Sequence, residues 1–200
     1  MRYYTADPHY AHEGVLEFCN RPFATVKDHD DCLVDEVNEI VKPEDELFIL
    51  GDFCWSNGYR KPGHFLQRIK CRTVHLVWGN HDRENYRQNF STAEDVRVLK
   101  LAEQITPNGQ SSIQLFLSHY PHAFWPASHH GSLHLYGHCH DQREATLDAM
   151  SPGRRSMDCG VDTAKRLLGR FRPFSEIEIL NLLLSRPGHD SVEFYRNRER

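Results

Sequence analysis

Side chains that can bind metal ions or transfer protons follow five short apolar runs in this sequence. They lie in the segments Asp7-Pro8-His9, Gly51-Asp52, Gly79-Asn80-His81-Asp82, Ser118-His119 and Gly137-His138-Cys139-His140. Imidazole, carboxylate and amide groups at these spacings can share a cation, and an imidazole can also act as an acid or base near neutral pH. Each motif alone is equally typical of a polar turn, so the prediction of a site depends on whether the five segments meet.

Taken together, the segments offer more ligands than the four that one tetrahedral zinc ion takes. They suit two metal ions that share a bridging carboxylate and lie about 3.5–4 Å apart. Mixed imidazole and carboxylate ligands favour zinc, iron, manganese, nickel or cobalt over calcium or magnesium. We therefore predict two divalent transition-metal ions, with manganese as the first to supply in vitro. The predicted ligands are Asp7, His9, Asp52, Asn80, His119, His138 and His140.

The elements that must position these residues alternate between strands and helices early in the chain and are mostly strands later. Apolar patterning predicts helices at 25–41, 64–70 and 174–184, and strands at 3–7, 47–50, 73–78, 96–101, 112–117, 133–136, 156–159 and 191–195. In extended chain, the D-x-H and H-x-H pairs would each point to one side. The pattern favours one α/β domain over residues 1–200, with two packed sheets covered by helices.

Composition excludes several classes of protein. The 200-residue chain has a formal net charge of −4, which argues against strong binding to long nucleic acids or to a membrane surface. It has no apolar run of the ~20 residues that a membrane helix needs, and residues 1–7 carry no apolar leader. Its six cysteines form no C-x-x-C pair, which predicts reduced thiols in a cytoplasmic protein.

In their order along the chain, the motifs resemble those of the calcineurin-like metallophosphoesterases, which run D-x-H, G-D-x-x-D, G-N-H-[DE], a later histidine and G-H-x-H. The matching segments span residues 7–140. Two further segments, Cys19-Asn20-Arg21-Pro22-Phe23 and Gly160-Val161-Asp162, are similar to a small bacterial and phage branch of that family. The resemblance implies a two-sheet β-sandwich flanked by helices, the four-layer αββα metallophosphoesterase fold, with a dinuclear centre.

The resemblance also implies how the ligands divide: a first metal on Asp7, His9 and His140, a second on Asn80, His119 and His138, and Asp52 bridging both. By the same resemblance, His81 would be the general acid or a donor to the transition state. Family members often have an aspartate at the position of Trp55, where it can orient that histidine. In this chain the support for His81 must come from elsewhere or be absent.

The implied activity is hydrolysis of a phosphoester by a hydroxide that two metals activate, on a small phosphodiester or nucleotide-like substrate. The alternatives are a phosphomonoesterase or protein phosphatase, a nuclease for short oligonucleotides, and a non-catalytic interaction module on the same fold. The last should have lost ligands, whereas this chain keeps all seven and His81. The oligomeric state stays open.

Three further residues are candidate substrate contacts. Arg21 could clamp a phosphate oxygen through two parallel hydrogen bonds, or lie on the surface in the turn before Pro22. His12 could face the substrate or support a ligand, and His122 could line the mouth of the site. Trp55 could stack on a base or pack in the core.

Overall fold

A computed structural model describes residues 1–101 and 113–188 of the chain. Within these ranges the strands are β1 (Arg2–Thr5), β2 (Glu46–Ile49), β3 (Thr73–Val77), β4 (Thr92–Glu94), β5 (Val96–Leu101), β6 (Ile113–Ser118), β7 (Leu133–Tyr136), β8 (Ser156–Asp158) and β9 (Phe174–Ser175). The α-helices there are α1 (Gly14–Phe18), α2 (Val26–Ile40), α3 (Pro62–Leu66), α4 (Glu144–Met150), α5 (Val161–Leu168) and α6 (Glu176–Leu184). No helix in these ranges is long and apolar enough to cross a membrane.

The strands form two mixed sheets. The first has the order β4-β3-β2-β1-β9, in which β1 to β4 are parallel and β9 pairs antiparallel with β1. The second has the order β5-β6-β7-β8, in which β6, β7 and β8 are parallel and β5 is antiparallel to β6. The short apolar strands β2 and β7 are buried along most or all of their length, as parallel strands covered on both faces must be.

Two apolar cores hold the layers together. One includes Tyr4 and Phe48 of the first sheet, Leu115 and Leu135 of the second, and Leu180 of α6, and therefore lies between the sheets. The other joins the first sheet to α2 and α3. Burial of each such side chain contributes roughly 1.5–3 kcal/mol. The predicted α/β fold, two sheets flanked by helices, is confirmed.

Helix α2 forms where its spacing predicts. Leu33, Val34 and Val37 recur on one face and are buried. The helix begins at its Thr25 cap, whose side chain accepts a hydrogen bond from the backbone N–H of Asp28, as N-cap residues do. The predicted range 25–41 therefore differs from the observed helix only by its two capping residues.

Other boundaries differ from the prediction for local reasons. Helix α3 begins at Pro62, a residue tolerated in the first turn, and ends before the predicted 64–70 segment does. The observed helix α6 begins two residues later than the predicted helix at 174–184. Ser175 caps α6 in a capping box with Glu178, and β9 precedes it. The predicted strand at 191–195 lies outside the described residues. Apolar patterning did not predict α1, α4, α5, β4 or β9.

The carboxyl ends of the parallel strands meet at one edge of the two sheets. A bridge between Ala6 and Gly160 joins the chain just after β1 to the chain just after β8. The backbone N–H of Asp7 donates to Gly51 O at 3.1 Å, and that of Gly137 donates to His119 O at 2.9 Å. Ligands at the carboxyl ends of strands are typical of open α/β sheets, and here this edge collects all five motifs.

Candidate metal centre

A first group of metal-capable side chains consists of Asp7, His9 and His140. One potential ligand atom from each lies within 4.8 Å of the others. Asp7 is fully buried and His9 is 3 % exposed. Within the group, Asp7 Oδ1 and His9 Nε2 are buried without a hydrogen-bond partner. Because a buried polar atom without a partner is costly, these two atoms make the group one that could hold a cation.

A second group consists of Asp52, His119 and His138, again with one potential ligand atom from each within 4.8 Å of the others. Asn80 joins them: its Oδ1 lies 3.0 Å from His119 Nε2 and 3.0 Å from His138 Nδ1. Asp52 lies between the two groups, since its Oδ2 is 3.6 Å from His119 Nε2 and 3.5 Å from His9 Nε2. The seven predicted ligands thus lie together, with Asp52 between the two groups.

The spacing of the predicted ligands in the D-x-H and H-x-H pairs suggested that they lie on extended strands. In the structure, they follow the strands in left-handed turns. β1 ends at Thr5, and Asp7 and His9 follow with φ angles of 54° and 50°. His138 and His140 have φ angles of 67° and 47°. Such left-handed conformations cost roughly 1–3 kcal/mol each and cluster at functional sites. His138 and His140 therefore reach the site from left-handed backbone rather than from an extended strand, and they belong to different groups.

Hydrogen bonds at the outer nitrogens fix three of the imidazoles. His119 Nδ1 lies 2.8 Å from Leu50 O, and His140 Nδ1 lies 2.9 Å from the Asp162 carboxylate. His9 Nδ1 lies 3.3 Å from His12 Nδ1. In each case Nε2 is left for the centre, which is the arrangement of metal-binding histidines, whose other ring N–H is held by an outer partner.

The pKa shifts within the first group also fit a metal ion. Burial raises the pKa of Asp7 well above its ordinary value and lowers the pKa of His9 well below its own. Burial also lowers the pKa of His140, but hydrogen bonds, led by that to Asp162, outweigh it and raise the pKa to about 11. The donor types, orphaned atoms and charge all fit a divalent metal ion.

Asp82 holds two of the motifs together and was not assigned a role from the sequence. Its carboxylate accepts hydrogen bonds from the backbone N–H groups of Asp52, Phe53 and Gly79, at 2.9–3.0 Å. Burial, only partly offset by these bonds, raises its pKa to about 6. The signal for this role was its place at the end of the Asn-His-Asp segment, where a carboxylate can bind neighbouring N–H groups.

Residue 79, just before Asn80, is a glycine because its backbone lies very close to Asp52. A Cβ atom on Gly79 would lie 2.3 Å from both the backbone N and the Oδ1 of Asp52. Gly79→Ala is therefore expected to displace Asp52, and a displacement of ~1 Å at a reacting centre can cost about 10²-fold in rate. Metal content after gel filtration checks this expectation. Gly63→Ala is the control, because a Cβ there meets only the Asn89 side chain at 3.2 Å; equal metal loss in both variants would contradict the assignment.

The structure corrects one of the three candidate substrate contacts. Arg21 is 4 % exposed, so it is not a surface arginine, and all three guanidinium nitrogens already have partners, so it is not placed to clamp a phosphate. His122 is exposed and its ring lies against Phe116 and His134, and its role at the mouth of the site stays a prediction. His12 contacts His9, as the supporting reading predicts.

Trp55 and His81 lie together beside the two groups. The Trp55 ring stacks on His12, with centroids 4.1 Å apart, and contacts the His81 ring at 4.9 Å. The edge of His81 also meets the His9 ring at 5.4 Å. The backbone N–H of His81 donates to Asp52 Oδ1 at 2.8 Å. Aromatic neighbours and this backbone bond therefore position His81.

Asp162 is the most important residue that the analysis of motifs missed. It lies in the first turn of α5, 2.9 Å from His140 Nδ1, and it accepts two hydrogen bonds from Arg21. The only signal was the resemblance of the Arg21 and Asp162 segments to one family branch. A third metal-capable group consists of Cys19, His140 and Asp162. It shares His140 with the first group, and the Asp162 carboxylate already accepts hydrogen bonds from Arg21.

Comparison with known proteins supports the fold. No family model matches the chain. The chain is similar to an uncharacterized protein of Methanocaldococcus jannaschii, 25 % identical over 160 residues that are 80 % of this chain and 81 % of that protein. It is also 26 % identical to Gene 66 protein of Mycobacterium phage L5 over 196 residues, 84 % of this chain and 89 % of that one. The crystal structure of a protein of unknown function from Aquifex aeolicus superposes with a TM-score of 0.69, at 23 % identity, covering 91 % of this chain and 98 % of that one.

Proposed function

We propose that this protein is a metal-dependent phosphodiesterase with the four-layer αββα fold of the calcineurin-like metallophosphoesterases. One observation carries the proposal: the seven ligands form two adjacent groups with Asp52 between them, 3.5 Å from His9 and 3.6 Å from His119. Two divalent cations bound there would activate a water and hold the phosphoryl oxygens. Manganese is the metal to supply first, with iron, zinc, nickel and cobalt as alternatives.

The ligand charges suit an anionic substrate. Asp7 and Asp52 are the two carboxylates among the seven ligands, and the neutral Asn80 amide completes the second group. Two divalent cations would therefore keep a net positive charge that attracts a phosphoester anion. An aspartate in place of Asn80 would remove part of that attraction.

His81 is the residue placed to assist the leaving group. Its Nε2 lies 3.9 Å from Asp52 Oδ2, and its side chain is 36 % exposed, so a substrate bound at the centre can reach it. A proton given to the leaving oxygen typically accelerates such a reaction by about 10²–10⁴-fold. Its contacts with Trp55 and His9 hold the ring toward the centre.

The surroundings favour a diester over a monoester. A phosphomonoester is a dianion and gains most from guanidinium or ammonium groups, as in a bidentate arginine clamp. Here the Arg21 guanidinium is engaged by backbone and Asp162, and the rings beside the centre belong to His12, His81 and Tyr120. A monoanionic diester fits this setting better.

Aromatic side chains around the centre support a nucleotide-like substrate. Tyr120 is 48 % exposed and its ring lies against His138. On another side, Phe18 is 69 % exposed and contacts the His12 ring, which stacks on Trp55. Exposed rings beside a phosphate-binding centre offer stacking surfaces for a nucleobase, each worth about 1–3 kcal/mol in known single-strand binders.

Removal of the Trp55 ring should lower turnover more than substrate affinity. Aromatic pairs contribute about 0.5–1.5 kcal/mol beyond simple burial, so Trp55→Ala should reduce kcat by up to about tenfold through a less restrained His81. Trp55→Phe, which keeps a ring in contact with His81, should recover most of the loss. Steady-state kinetics on one diester measure this; an unchanged kcat in Trp55→Ala would refute the positioning role.

The proposal is tested by hydrolysis of bis-p-nitrophenyl phosphate and p-nitrophenyl phosphate by metal-stripped protein resupplied with manganese. We expect faster turnover of the diester, abolished by a chelator. Faster turnover of the monoester would replace the phosphodiesterase by a phosphomonoesterase. No turnover of either, or of cyclic nucleotides and short RNA, with two metals bound, would overturn the enzymatic proposal.

A further inference from the structure

Arg21 is a buried cation with an unusual set of partners. Its side chain has no solvent exposure, yet it lies next to the proposed metal centre. Nε and Nη2 donate to the two oxygens of Asp162, at 2.9 and 2.8 Å. Nη2 also donates to Asp7 O at 2.8 Å, and Nη1 donates to Pro8 O at 3.0 Å. The guanidinium thus joins α5 to the left-handed turn that carries Asp7 and His9.

Asp162 extends this contact to the third ligand of the first group. Its Oδ2 lies 2.9 Å from His140 Nδ1 and 2.8 Å from Arg21 Nη2. The Asp162 carboxylate can thus accept from Nδ1–H of His140, which fixes the ring and leaves Nε2 for a metal.

We propose that Arg21 and Asp162 are a positioning pair for the first metal position only. Arg21 holds the peptide oxygens at Asp7 and Pro8, and Asp162 holds His140, so the pair supports all three ligands of the first group. This inference rests on the metal centre of the proposed function and adds that the two metal positions are supported independently.

The second group has supports of its own. His119 Nδ1 is held by Leu50 O at 2.8 Å, and the backbone at Asp52 is held by Asp82 at 2.9 Å. Asn80 Oδ1 contacts His119 and His138 directly. The hydrogen bonds of Arg21 and Asp162 go instead to the segments that carry the first group.

A buried chain of hydrogen bonds fixes Arg21 in turn. His29 Nε2 lies 2.9 Å from Arg21 Nη1, and His29 Nδ1 lies 2.9 Å from Asp30 Oδ1. Since Arg21 can only donate, His29 accepts at Nε2 and donates from Nδ1 to Asp30. The Asp30 carboxylate also accepts from Ala11 N at 3.0 Å, so α2 restrains both ends of the turn that carries His9.

The pairing also matters for charge. Arg21 alone would place a buried positive charge beside a cation site, and the Asp162 carboxylate, 2.8 Å from Arg21 Nη2, is its counter-ion. Asp162→Asn keeps the shape of the side chain but leaves Arg21 without its counter-ion and His140 with a weaker acceptor. Arg21→Lys keeps the charge but replaces a planar fork by a single ammonium, which cannot make the two parallel bonds to Asp162.

The test measures metal binding by Asp162→Asn, Arg21→Lys and wild type in stepwise manganese titrations, with bound metal counted and the Mn²⁺ electron paramagnetic resonance signal recorded. Loss of such outer partners costs about 10–100-fold in metal affinity. We expect this loss at one of two sites, with the other unchanged, and a mononuclear signal where wild type gives a coupled pair. Equal weakening at both sites, or wild-type binding at both, would refute the inference.

Arg154→Lys is the matched control, because Arg154 is also 4 % exposed and its partners are Glu144, Asp148, Tyr136 and Ser156. It should bind two metals as wild type does. In metal-free protein, ¹⁵N chemical shifts of His140 give a second readout: a shift of its ring nitrogens in Asp162→Asn supports the inference, and unchanged nitrogens refute it. If the wild-type protein binds two metals but hydrolyses no diester, the proposed function is refuted and this inference is not.

Discussion

Asp52→Asn should abolish measurable diester hydrolysis and remove the link between the two metal positions. Asparagine keeps an oxygen to accept the His81 backbone N–H, which donates to Asp52 Oδ1 at 2.8 Å. It replaces Oδ2, the atom 3.5 Å from His9 Nε2 and 3.6 Å from His119 Nε2, by an NH₂ group that cannot bind a cation. If about 4 kcal/mol of metal-based stabilisation is lost, the rate falls by ~10³-fold.

Asp45→Asn is the matched control for this substitution. Asp45 is 5 % exposed, close to the 2 % of Asp52, but it precedes β2 whereas Asp52 follows it. Its carboxylate binds the amino terminus and the Lys42 backbone, so its loss should affect stability and leave turnover per folded molecule unchanged. The test measures diester hydrolysis and the number of bound metals in both variants. Near-normal turnover by Asp52→Asn would exclude a bridging role for Asp52.

The positions of the ligands were predictable because strand ends are easy to find. Runs such as 47–50 and 133–136 are continuously apolar, and parallel strands deliver their carboxyl ends to one edge. Asp52 and His138 therefore had to lie near each other if both runs belonged to adjacent parallel sheets. The structure places them in one group.

The orientations were not predictable from spacing. The period-two rule requires extended chain, but Asp7, His9, His138 and His140 all have positive φ. Tertiary bonds hold these turns, such as that from the His138 backbone to Asp7 Oδ2 at 2.8 Å. A partner 131 positions away leaves no trace in the local sequence, so local patterning predicted the wrong geometry.

The outer supports were missed for the same reason. Arg21 and Asp162 are 141 positions apart, and each alone is an ordinary turn or helix-start residue. An acidic residue in the first turn of a helix already has a local explanation, which is the helix dipole. Only their contact, buried beside His140, indicates a role at the centre.

His81→Ala should lower kcat by about 10²–10⁴-fold, the usual contribution of a positioned general acid, while both metals stay bound. The His81 side chain is absent from both metal-capable groups, and its link to Asp52 through a backbone N–H survives the substitution. Steady-state kinetics on a diester with an alkyl leaving group, with metal counts on the same sample, measure both quantities. A good leaving group needs little protonation, so the loss should be smaller for bis-p-nitrophenyl phosphate.

That dependence on the leaving group separates proton donation from simple positioning. If His81 only stabilises charge on the phosphoryl oxygens, the loss in His81→Ala should be equal for aryl and alkyl diesters. His64→Ala is the control, since His64 is an exposed histidine that contacts Phe65, and its kcat should equal that of wild type. Loss of either metal in His81→Ala would contradict the assignment, because it would make His81 a ligand.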